Sequence, residues 1–155
     1  MRFIGYDRFA EGVYCTHPRP SEKGYPAVMD GGVFLTFVHL MECHNHEFAY
    51  TSHTEISEGV FLVGNTWVDE ECRGMGLHEE ILKVRNEWLA EHHNNCDIYT
   101  LLNPQDTTKI HQLRHVVSKL NYRTKRLWTA KGIPLRVRFQ IWRSGLELWG
   151  KTLDS

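Results

Sequence analysis

Residues 69–80 read "DEECRGMGLHEE", and at this stretch the hydrophobic repeat of the chain changes. The preceding run, 58–68, is rich in β-branched and aromatic residues, which is typical of a strand. After the stretch, apolar residues recur at the spacing of one helix face, at Leu77, Ile81, Val84, Trp88 and Leu89. The sequence therefore predicts a strand, a glycine-containing turn, and a helix that begins near Gly76.

The turn itself has a composition that suits an anion. The first turn of a helix carries free backbone N–H groups and a partial positive charge. Gly74 and Gly76 would let a phosphate approach those groups without a Cβ in the way, and Arg73 adds charged donors. The P-loop pattern is absent, and the third glycine of a dinucleotide fingerprint is missing. Composition alone leaves two interpretations, a flexible connection or a phosphate pocket.

Three strands are predicted up to the turn. They lie at 32–40, 46–53 and 58–68, where apolar, β-branched and aromatic residues cluster. The polar run "ECHNHE" at 42–47 is predicted to be the turn between the first two. Consecutive strands with short connections favour an antiparallel meander.

Beyond the first helix, strands and helices alternate. Residues 97–103 predict a buried strand, and Asp106 is the predicted N-cap of a second helix. The apolar face of that helix is formed by Ile110, Leu113, Val117 and Leu120. Two final strands are predicted at 126–129 and, from the alternation of apolar and polar residues, at 135–142.

The predicted order of elements is β-β-β-α-β-α-β-β. Because a strand–helix–strand unit needs a crossover, at least one pair of strands should be parallel. We therefore predict an α/β fold in the broad sense (α+β), with a mixed, mostly antiparallel central sheet flanked by helices. At 155 residues the chain is expected to form a single domain, 1–155.

Composition is that of an ordinary globular protein, with 41% hydrophobic and 24% charged residues. No apolar run approaches the roughly 20 residues needed to cross a bilayer, and the N-terminus lacks the features of a secretory signal. The four cysteines are scattered and form no CxxC pair. These observations favour a cytoplasmic protein with reduced thiols and no membrane association.

Charge is distributed unevenly although the net charge is −1. Residues 107–146 contain no Asp or Glu but ten lysines and arginines. Such asymmetry is consistent with an anionic ligand or a nucleic acid. It is equally consistent with a basic half that sits beside acidic elements of the same chain, and both interpretations stay open.

The segment "VDEECRGMGLHEEILKVRNEW", 68–88, resembles the central R/Q-x-x-G-x-G/A motif of the GNAT superfamily of acetyl-CoA-dependent N-acetyltransferases. The segment "IYTLLNPQDTTKIHQLRHVVSKLNYR", 98–123, is similar to the next conserved block of that family. The likeness extends over about residues 58–125. It implies a parallel strand pair that splays apart, and an acetyl group transferred from acetyl-CoA to a primary amine.

The resemblance also implies where coenzyme A would bind. The backbone N–H groups of the glycine turn would hold the pyrophosphate, and Trp67 and Val68 would bind the pantetheine arm through their backbones. Asn103 would lie near the pantetheine, and Lys109 near the 3′-phosphate. The turn residues are Arg73, Gly74, Met75, Gly76, Leu77 and His78. Attack on a thioester needs a base for the amine, and the candidate by family position is Glu58.

The sequence departs from the family pattern at two positions. His78 replaces the Gly or Ala of the motif, and Val117 occupies the position of the usual acid, a tyrosine. Tyr122 stands where the family has a core Phe. These departures support an alternative function, a degenerate GNAT-like module that binds protein or nucleic acid through its basic C-terminal half. The acceptor amine is unspecified, and the resemblance leaves room for a homodimer.

Histidines are numerous, and one group invites comparison with a metal site. His44 and His46 lie beside Cys43, and His39 or His53 could complete a ligand set. A stable zinc site needs three or four ligands. We interpret these residues as polar turn and strand residues, with no metal bound.

Overall fold

A computed structural model describes residues 2–3, 14–15, 36–43, 46–74 and 76–154. Its strands are β1 (Arg2–Phe3), β2 (Tyr14–Cys15), β3 (Thr36–Cys43), β4 (His46–Ser57), β5 (Val60–Val68), β6 (Cys96–Leu102), β7 (Arg123–Thr124) and β8 (Glu147–Leu153). Its α-helices are α1 (Leu77–His92), α2 (Ile110–Lys119) and α3 (Leu135–Ser144). A short 3-10 helix at Glu70–Cys72 connects β5 to the glycine turn.

The strands form one mixed sheet. Their order is β1-β3-β4-β5-β6-β8-β7, and β2 pairs with β3 outside this path. Of the described pairs, β5 with β6 is parallel and the others are antiparallel. Helix α1 makes the crossover that the parallel pair requires. The predicted fold class is therefore confirmed.

Helices cover both faces of the sheet. On one face, α1 and α2 bury Leu82, Leu89 and Val117 against strand residues that include Phe61 and Ile98. On the other face, α3 buries apolar side chains against the alternate residues of the same strands, in a cluster of Val60, Tyr99, Val137, Ile141 and Leu148. The burial of β5 and β6 on both faces explains why their sequences read as continuous apolar runs.

The first two predicted strands lie close to observed ones. β3 runs Thr36–Cys43, while residues 32–35 of the prediction lie outside the described residues. β4 extends to Ser57, beyond the predicted end at 53. The predicted turn at 42–47 is shorter than expected, because Cys43 already pairs with His46. Residues 44–45 lie outside the described residues.

The segment 135–142 was the clearest predicted strand, and this prediction is wrong because the segment is helical. Val137 and Ile141 are four residues apart, so the alternating pattern also places two apolar residues on one helix face. Pro134 stands at the N-cap, and Gly145 ends the helix with φ +66°. Leu135 remains 63% exposed, so half of the apolar pattern never enters the core.

Two further predictions near the C-terminus are also wrong. Residues 126–129 form turns rather than a strand, and the strands of this region are β7 and the unpredicted β8. Asp106 is not the N-cap of α2, because that position belongs to Lys109. The Asp106 carboxylate accepts a hydrogen bond of 2.8 Å from Thr108 Oγ1 instead, within a turn that precedes the helix. The polar residues 103–109 form that turn rather than the first turn of the helix.

None of the helices in the described part of the chain is long and apolar enough to cross a membrane.

Candidate functional site

The glycine turn between β5 and α1 has the backbone conformation that only glycine adopts easily. Gly74 has φ +83° and Gly76 has φ +77°. A Cβ at either position would meet no atom of the other described residues within 4 Å, so these residues leave the space above the turn open. The turn is therefore shaped by its backbone and leaves room for a ligand.

Helix α1 begins directly at this turn. The N–H of Glu80 donates to the carbonyl of Gly76 at 3.1 Å, which is the first hydrogen bond of the helix. No side chain in the described ranges caps its N-terminus. The N–H groups of Leu77 and His78 therefore precede the hydrogen-bond ladder and point out of the helix end. Together with the open space above Gly74 and Gly76, they form an anion-binding geometry.

The side chain of Arg73 ties the turn to the strand before it. Its Nε donates to the carbonyl of Val68 at 3.1 Å. Val68 ends β5, and its neighbour Trp67 stacks on Tyr50 with ring centroids 5.5 Å apart. The bond holds the turn against the strand end, so the predicted pantetheine and pyrophosphate contacts lie in one continuous stretch.

The parallel pair splays apart next to this stretch. Pairing between β5 and β6 runs from Val60 with Asp97 to Val63 with Thr100 and then stops. Beyond that point β5 pairs with β4, and β6 pairs with β8. The described strands therefore leave a gap between the C-terminal halves of β5 and β6. A linear ligand arm that enters this gap would run alongside the C-terminal half of β5.

A β-bulge reshapes β5 at the splay. Tyr50 pairs with Trp67, while Ser52 pairs with Gly64, so two residues of β5 oppose the single residue Thr51. The extra residue bends the strand and increases its local twist. The bulge lies directly before Trp67 and therefore sets how the end of β5 faces the gap.

Two more predicted site residues lie at the same edge of the sheet. Asn103 directly follows β6, is exposed, and accepts a hydrogen bond of 3.0 Å from the N–H of Gln105. Since the C-terminal ends of parallel strands meet at one edge, Asn103 lies at the same edge as Val68. Lys109 is exposed at the start of α2. The structure thus gathers the strand ends at one edge of the sheet, next to the glycine turn.

The remaining turn residues have separate environments. Leu77 packs partly buried against a small apolar cluster that contains Phe48 and Ile81. Met75 lies outside the described residues. His78 is partly buried, and burial, followed by the charge of Arg85, lowers its pKa. The imidazole in the motif position of Gly or Ala is therefore neutral at neutral pH.

Glu58, the predicted base, is not brought to this edge. It is exposed in the tight turn between β4 and β5, at the opposite end of β5 from the glycine turn. β5 has 9 residues, so at about 3.3 Å per residue its ends lie roughly 25 Å apart. The structure separates Glu58 from the glycine turn by the length of this strand.

A buried polar network at the bulge was not predicted from the sequence. Arg85 of α1 is 1% exposed, and its guanidinium donates to Thr51 Oγ1 at 2.8 Å and to Tyr122 OH at 3.1 Å. Asn86 Oδ1 accepts from Arg85 Nε and Nη2, both at 3.2 Å. The sequence did carry a signal, because an arginine stands four residues after Ile81 and four before Leu89 in the apolar stripe of α1.

Val117 and Tyr122, which depart from the family pattern near the position of the usual acid, are both buried. Val117 is 6% exposed and belongs to the core between α2 and the sheet. Tyr122 is buried too, and its hydroxyl accepts from Arg85 and, at 3.4 Å, from Asn86 Nδ2. The Tyr122 phenol therefore serves the buried network of α1.

The candidate metal ligands divide between the core and the part of the chain that is not described. His39 Nε2 and His53 Nδ1 are 2.9 Å apart, buried, and joined by a hydrogen bond. His44 and the side chains of Cys43 and His46 lie outside the described residues. Among the described residues, no group of three or more His, Cys, Asp or Glu side chains could hold a metal ion.

Comparison with solved structures finds this architecture among acetyltransferases. A GNAT-family acetyltransferase from Staphylococcus aureus matches with a TM-score of 0.56 and 15% identity, over 77% of this chain and 69% of that chain. N-acetylglutamate synthase from Neisseria gonorrhoeae, complexed with coenzyme A and N-acetyl-glutamate, matches with a TM-score of 0.60 and 9% identity. The match covers 76% of this chain and 26% of that chain. A Mycobacterium tuberculosis protein in complex with coenzyme A matches with a TM-score of 0.54 and 9% identity, over 75% of this chain and 75% of that chain.

The chain thus has the fold of GNAT acetyltransferases. The resemblance predicted from the glycine turn is confirmed at the level of the fold, with the parallel pair and the splay in place. No protein-family model matches the sequence, and none of the curated proteins matches it either.

Proposed function

We propose that this protein is an N-acetyltransferase that moves the acetyl group of acetyl-CoA to an amine. The observation that carries the proposal is the end of β5–β6 pairing at Val63 and Thr100, beside an open glycine turn at a helix N-terminus. A gap for an extended thioester arm and a cradle for its pyrophosphate stand next to each other. Solved neighbours with the same fold were obtained with coenzyme A.

The glycine turn would bind the pyrophosphate. The N–H groups at the start of α1 would donate to its oxygens, and the helix dipole would favour its negative charge. Arg73 already uses Nε to hold Val68, so its fixed guanidinium would face the anion from the turn. Neutral His78 could add a further hydrogen bond without adding charge.

The end of β5 that borders the gap would hold the pantetheine arm. Backbone groups of Trp67 and Val68 would pair with its amides, as an added strand would. The bulge at Thr66 would orient this edge, since it lies directly before Trp67. The thioester would then sit in the gap between β5 and β6, close to Asn103.

The chemical step would be direct transfer. The lone pair of a neutral amine would attack the thioester carbonyl, the C–S bond would break, and the amine proton would leave with the thiolate or to water. Positioning the amine against the carbonyl would supply much of the rate enhancement. Because Val117 is buried and Glu58 is remote, neither side chain supplies the proton transfer in this proposal.

Titration calorimetry with acetyl-CoA tests the binding part of the proposal. Gly76→Ala would place a methyl group where the phosphate must approach, and we expect at least a tenfold loss of affinity. Gly145→Ala is the matched control, because Gly145 also has positive φ and open space around it, at the far end of α3. Both variants carry similar backbone strain, but Gly145→Ala should bind acetyl-CoA like the wild type.

A measurement of acetyl transfer distinguishes an active acetyltransferase from a catalytically degenerate GNAT-like module. Acetyl-CoA consumption should be followed by release of free thiol, over a panel of amines that includes peptide N-termini, lysine side chains and small polyamines. No binding of acetyl-CoA by the wild type would refute the acetyltransferase function. Binding without turnover over the whole panel would favour the alternative, a GNAT-like binding module, for which the apolar Val117 is the supporting observation.

A further inference from the structure

Helix α3 carries a second apolar face that points to solvent. Leu135, Phe139 and Trp142 follow one another at i, i+4 and i+7, and their exposed fractions are 63%, 45% and 63%. Trp128, which is 51% exposed, meets Phe139 edge-to-face at 5.4 Å between ring centroids. We call these four residues the aromatic stripe. Large exposed rings in a row are unusual on a protein surface and mark a binding face.

The loop beside the stripe, residues 125–133, is held rigidly by one arginine. Arg138 donates from Nε to the carbonyl of Ile133 at 2.8 Å and from its Nη atoms to the carbonyls of Leu127 and Ala130. The Tyr99 hydroxyl adds a bond of 2.8 Å to the carbonyl of Lys131. Backbone carbonyls on both sides of Trp128 are therefore hydrogen-bonded to buried or partly buried side chains of the fold.

The same loop carries three cations within a few residues of Trp128 in the chain. Lys125, Arg126 and Lys131 are exposed, and none of them pairs with an acidic side chain among the described residues. They line a pocket of about 330 Å³ under the loop. One carboxylate, Asp97, also lines it, and this group accepts a hydrogen bond of 2.7 Å from Thr152.

We propose that the aromatic stripe and the loop 125–133 form a binding surface for single-stranded nucleic acid. Trp128 and Trp142 would stack on bases, while the three loop cations would contact phosphates. Aromatic rings interleaved with cations are the usual means of binding single strands without sequence readout. An apolar protein partner would match the rings but leave the three cations unpaired, so the charge favours a polyanion.

The charge of the wider chain supports this occupant. Residues 107–146 contain no Asp or Glu, and the stripe and the loop both lie within that stretch. Arg136 and Arg143 are exposed on α3 next to the stripe. Since the net charge of the chain is only −1, its acidic residues lie elsewhere in the sequence. The positive charge is therefore concentrated in this part of the sequence.

This surface is separate from the glycine turn. Gly132 of the loop lies against Val60, at the start of β5, and the glycine turn follows the end of that strand. The two regions are thus roughly 25 Å apart along β5. Occupation of one by coenzyme A would leave the other open, so nucleic-acid binding can be measured independently of acetyl-CoA.

Fluorescence anisotropy of labelled 12-nucleotide single strands tests the proposal, with oligo-U, oligo-dT and a duplex as probes. We expect both single strands to bind better than the duplex, with affinity that falls as salt rises. Trp128→Ala should weaken binding about tenfold or more, and Trp128→Phe should retain most of it, because stacking needs a ring. Both variants should keep the wild-type unfolding midpoint within a few degrees, since the ring is half exposed.

A pair of charge variants supplies the control. Lys131→Gln should weaken binding and reduce the slope of log K against log salt by about one. Lys83→Gln removes the same charge from an exposed site on α1, and should change neither quantity. These variants keep the test decisive even if Trp128→Ala fails to fold.

Four results would overturn the proposal. The first two are an absence of oligonucleotide binding by the wild type at low salt, and equal affinity for the duplex and the single strands. The third is an equal loss of oligonucleotide affinity in Lys131→Gln and Lys83→Gln. The fourth is a dimer in sedimentation that Trp142→Ala dissociates without changing oligonucleotide affinity. The last result would assign the stripe to a second copy of the chain.

Discussion

Arg85 Nη1 donates a hydrogen bond of 2.8 Å to Thr51 Oγ1 in the core between α1 and the sheet. The Thr51 hydroxyl lies 2.9 Å from that of Thr66, the bulge residue before Trp67. A buried cation on α1 is thereby linked through two hydroxyls to the strand end that borders the splay. Burial lowers the pKa of Arg85, but guanidinium stays charged in proteins. The network thus holds a full positive charge with hydroxyl and amide partners.

Replacement of Arg85 by lysine should therefore be costly. Arg85→Lys keeps the buried charge but loses the forked geometry that reaches Thr51, Asn86 and Tyr122 together. We expect urea unfolding to show a loss of about 2–4 kcal/mol. The reverse exchange on the exposed side of the same helix, Lys83→Arg, should change stability by less than about 0.5 kcal/mol. Equal stabilities for the two variants would mean that the network contributes nothing.

The hydrogen-bonded pair of His39 and His53 should make stability depend on pH. Burial is the main cause that lowers the pKa of both imidazoles well below the ordinary value. Around His39, the charges of His53, Arg85 and His92 lower its pKa further. Around His53, the charges of Arg85, His93 and His92 have the same effect. The unfolded chain, with pKa near 6.5, then binds more protons than the folded one below that pH. Stability should be complete above about pH 6.5 and fall as pH drops, by about 1.4 kcal/mol per unit for each histidine.

Unfolding in urea at pH 7.5, 6.5, 5.5 and 5.0 measures this dependence. His53→Gln should remove about one proton from the slope, whereas His111→Gln, at an exposed site on α2, should leave the slope unchanged. His78 and His93 also have lowered pKa values through burial, so part of the slope should remain in His53→Gln. An unchanged slope in His53→Gln would show that the pair does not titrate on unfolding.

Gly132 should not tolerate a side chain. A Cβ at this position would lie 2.4 Å from Val60 Cγ2, and φ is +76°. The branched valine cannot move easily. Gly59→Ala provides the control, since Gly59 has φ +70° but nothing within 4 Å. Thermal and urea unfolding should show Gly132→Ala to be about 1–3 kcal/mol less stable than Gly59→Ala.

The contact can be tested by removing its partner. Val60→Ala in the Gly132→Ala background should recover part of the loss, although Val60→Ala alone is destabilising because Val60 is 6% exposed. Additive losses in the double variant would place the cause in the backbone strain and not in the contact.

Cys96 should resist alkylation in the folded protein. Burial raises the pKa of its thiol to about 11, and the residue is fully buried at the start of β6. Cys72 is partly exposed in the 3-10 helix before the glycine turn. Iodoacetamide at pH 8, followed by peptide mass spectrometry, should modify Cys72 before Cys96, because thiolate and access are both needed. Equal rates would indicate that β6 opens on the timescale of the reaction.

The central part of the fold could be read from the sequence. Continuous apolar runs in β5 and β6, the helical period of α1, and two glycines between them are local signals that tertiary contacts do not override. They predicted the crossover and hence the parallel pair. The positions of Trp67, Val68 and Asn103 followed, because each lies at the end of a strand that was predicted almost to the residue.

The C-terminal third could not be read in this way. The pattern from Leu135 to Trp142 satisfies both a strand and a helix, and only the packing of Val137 and Ile141 against the sheet selects the helix. β8 was missed because Glu147, Trp149 and Lys151 on one face are only partly buried, and the buried face includes Gly150. Gly150 is required by tertiary contact, since a Cβ there would lie 2.7 Å from the ring of Tyr99.

The sequence by itself determined the strand–glycine turn–helix unit, since periodicity and backbone freedom are properties of neighbouring residues. Only the tertiary structure decided what surrounds that unit. In it, Glu58 lies at the far end of β5 from the glycine turn, Arg85 is buried beside the bulge, and Trp128 contacts Phe139 on α3. These outcomes depend on which residues distant in the chain come to share one low-dielectric core or one surface. Spacing along the chain carries no record of that choice.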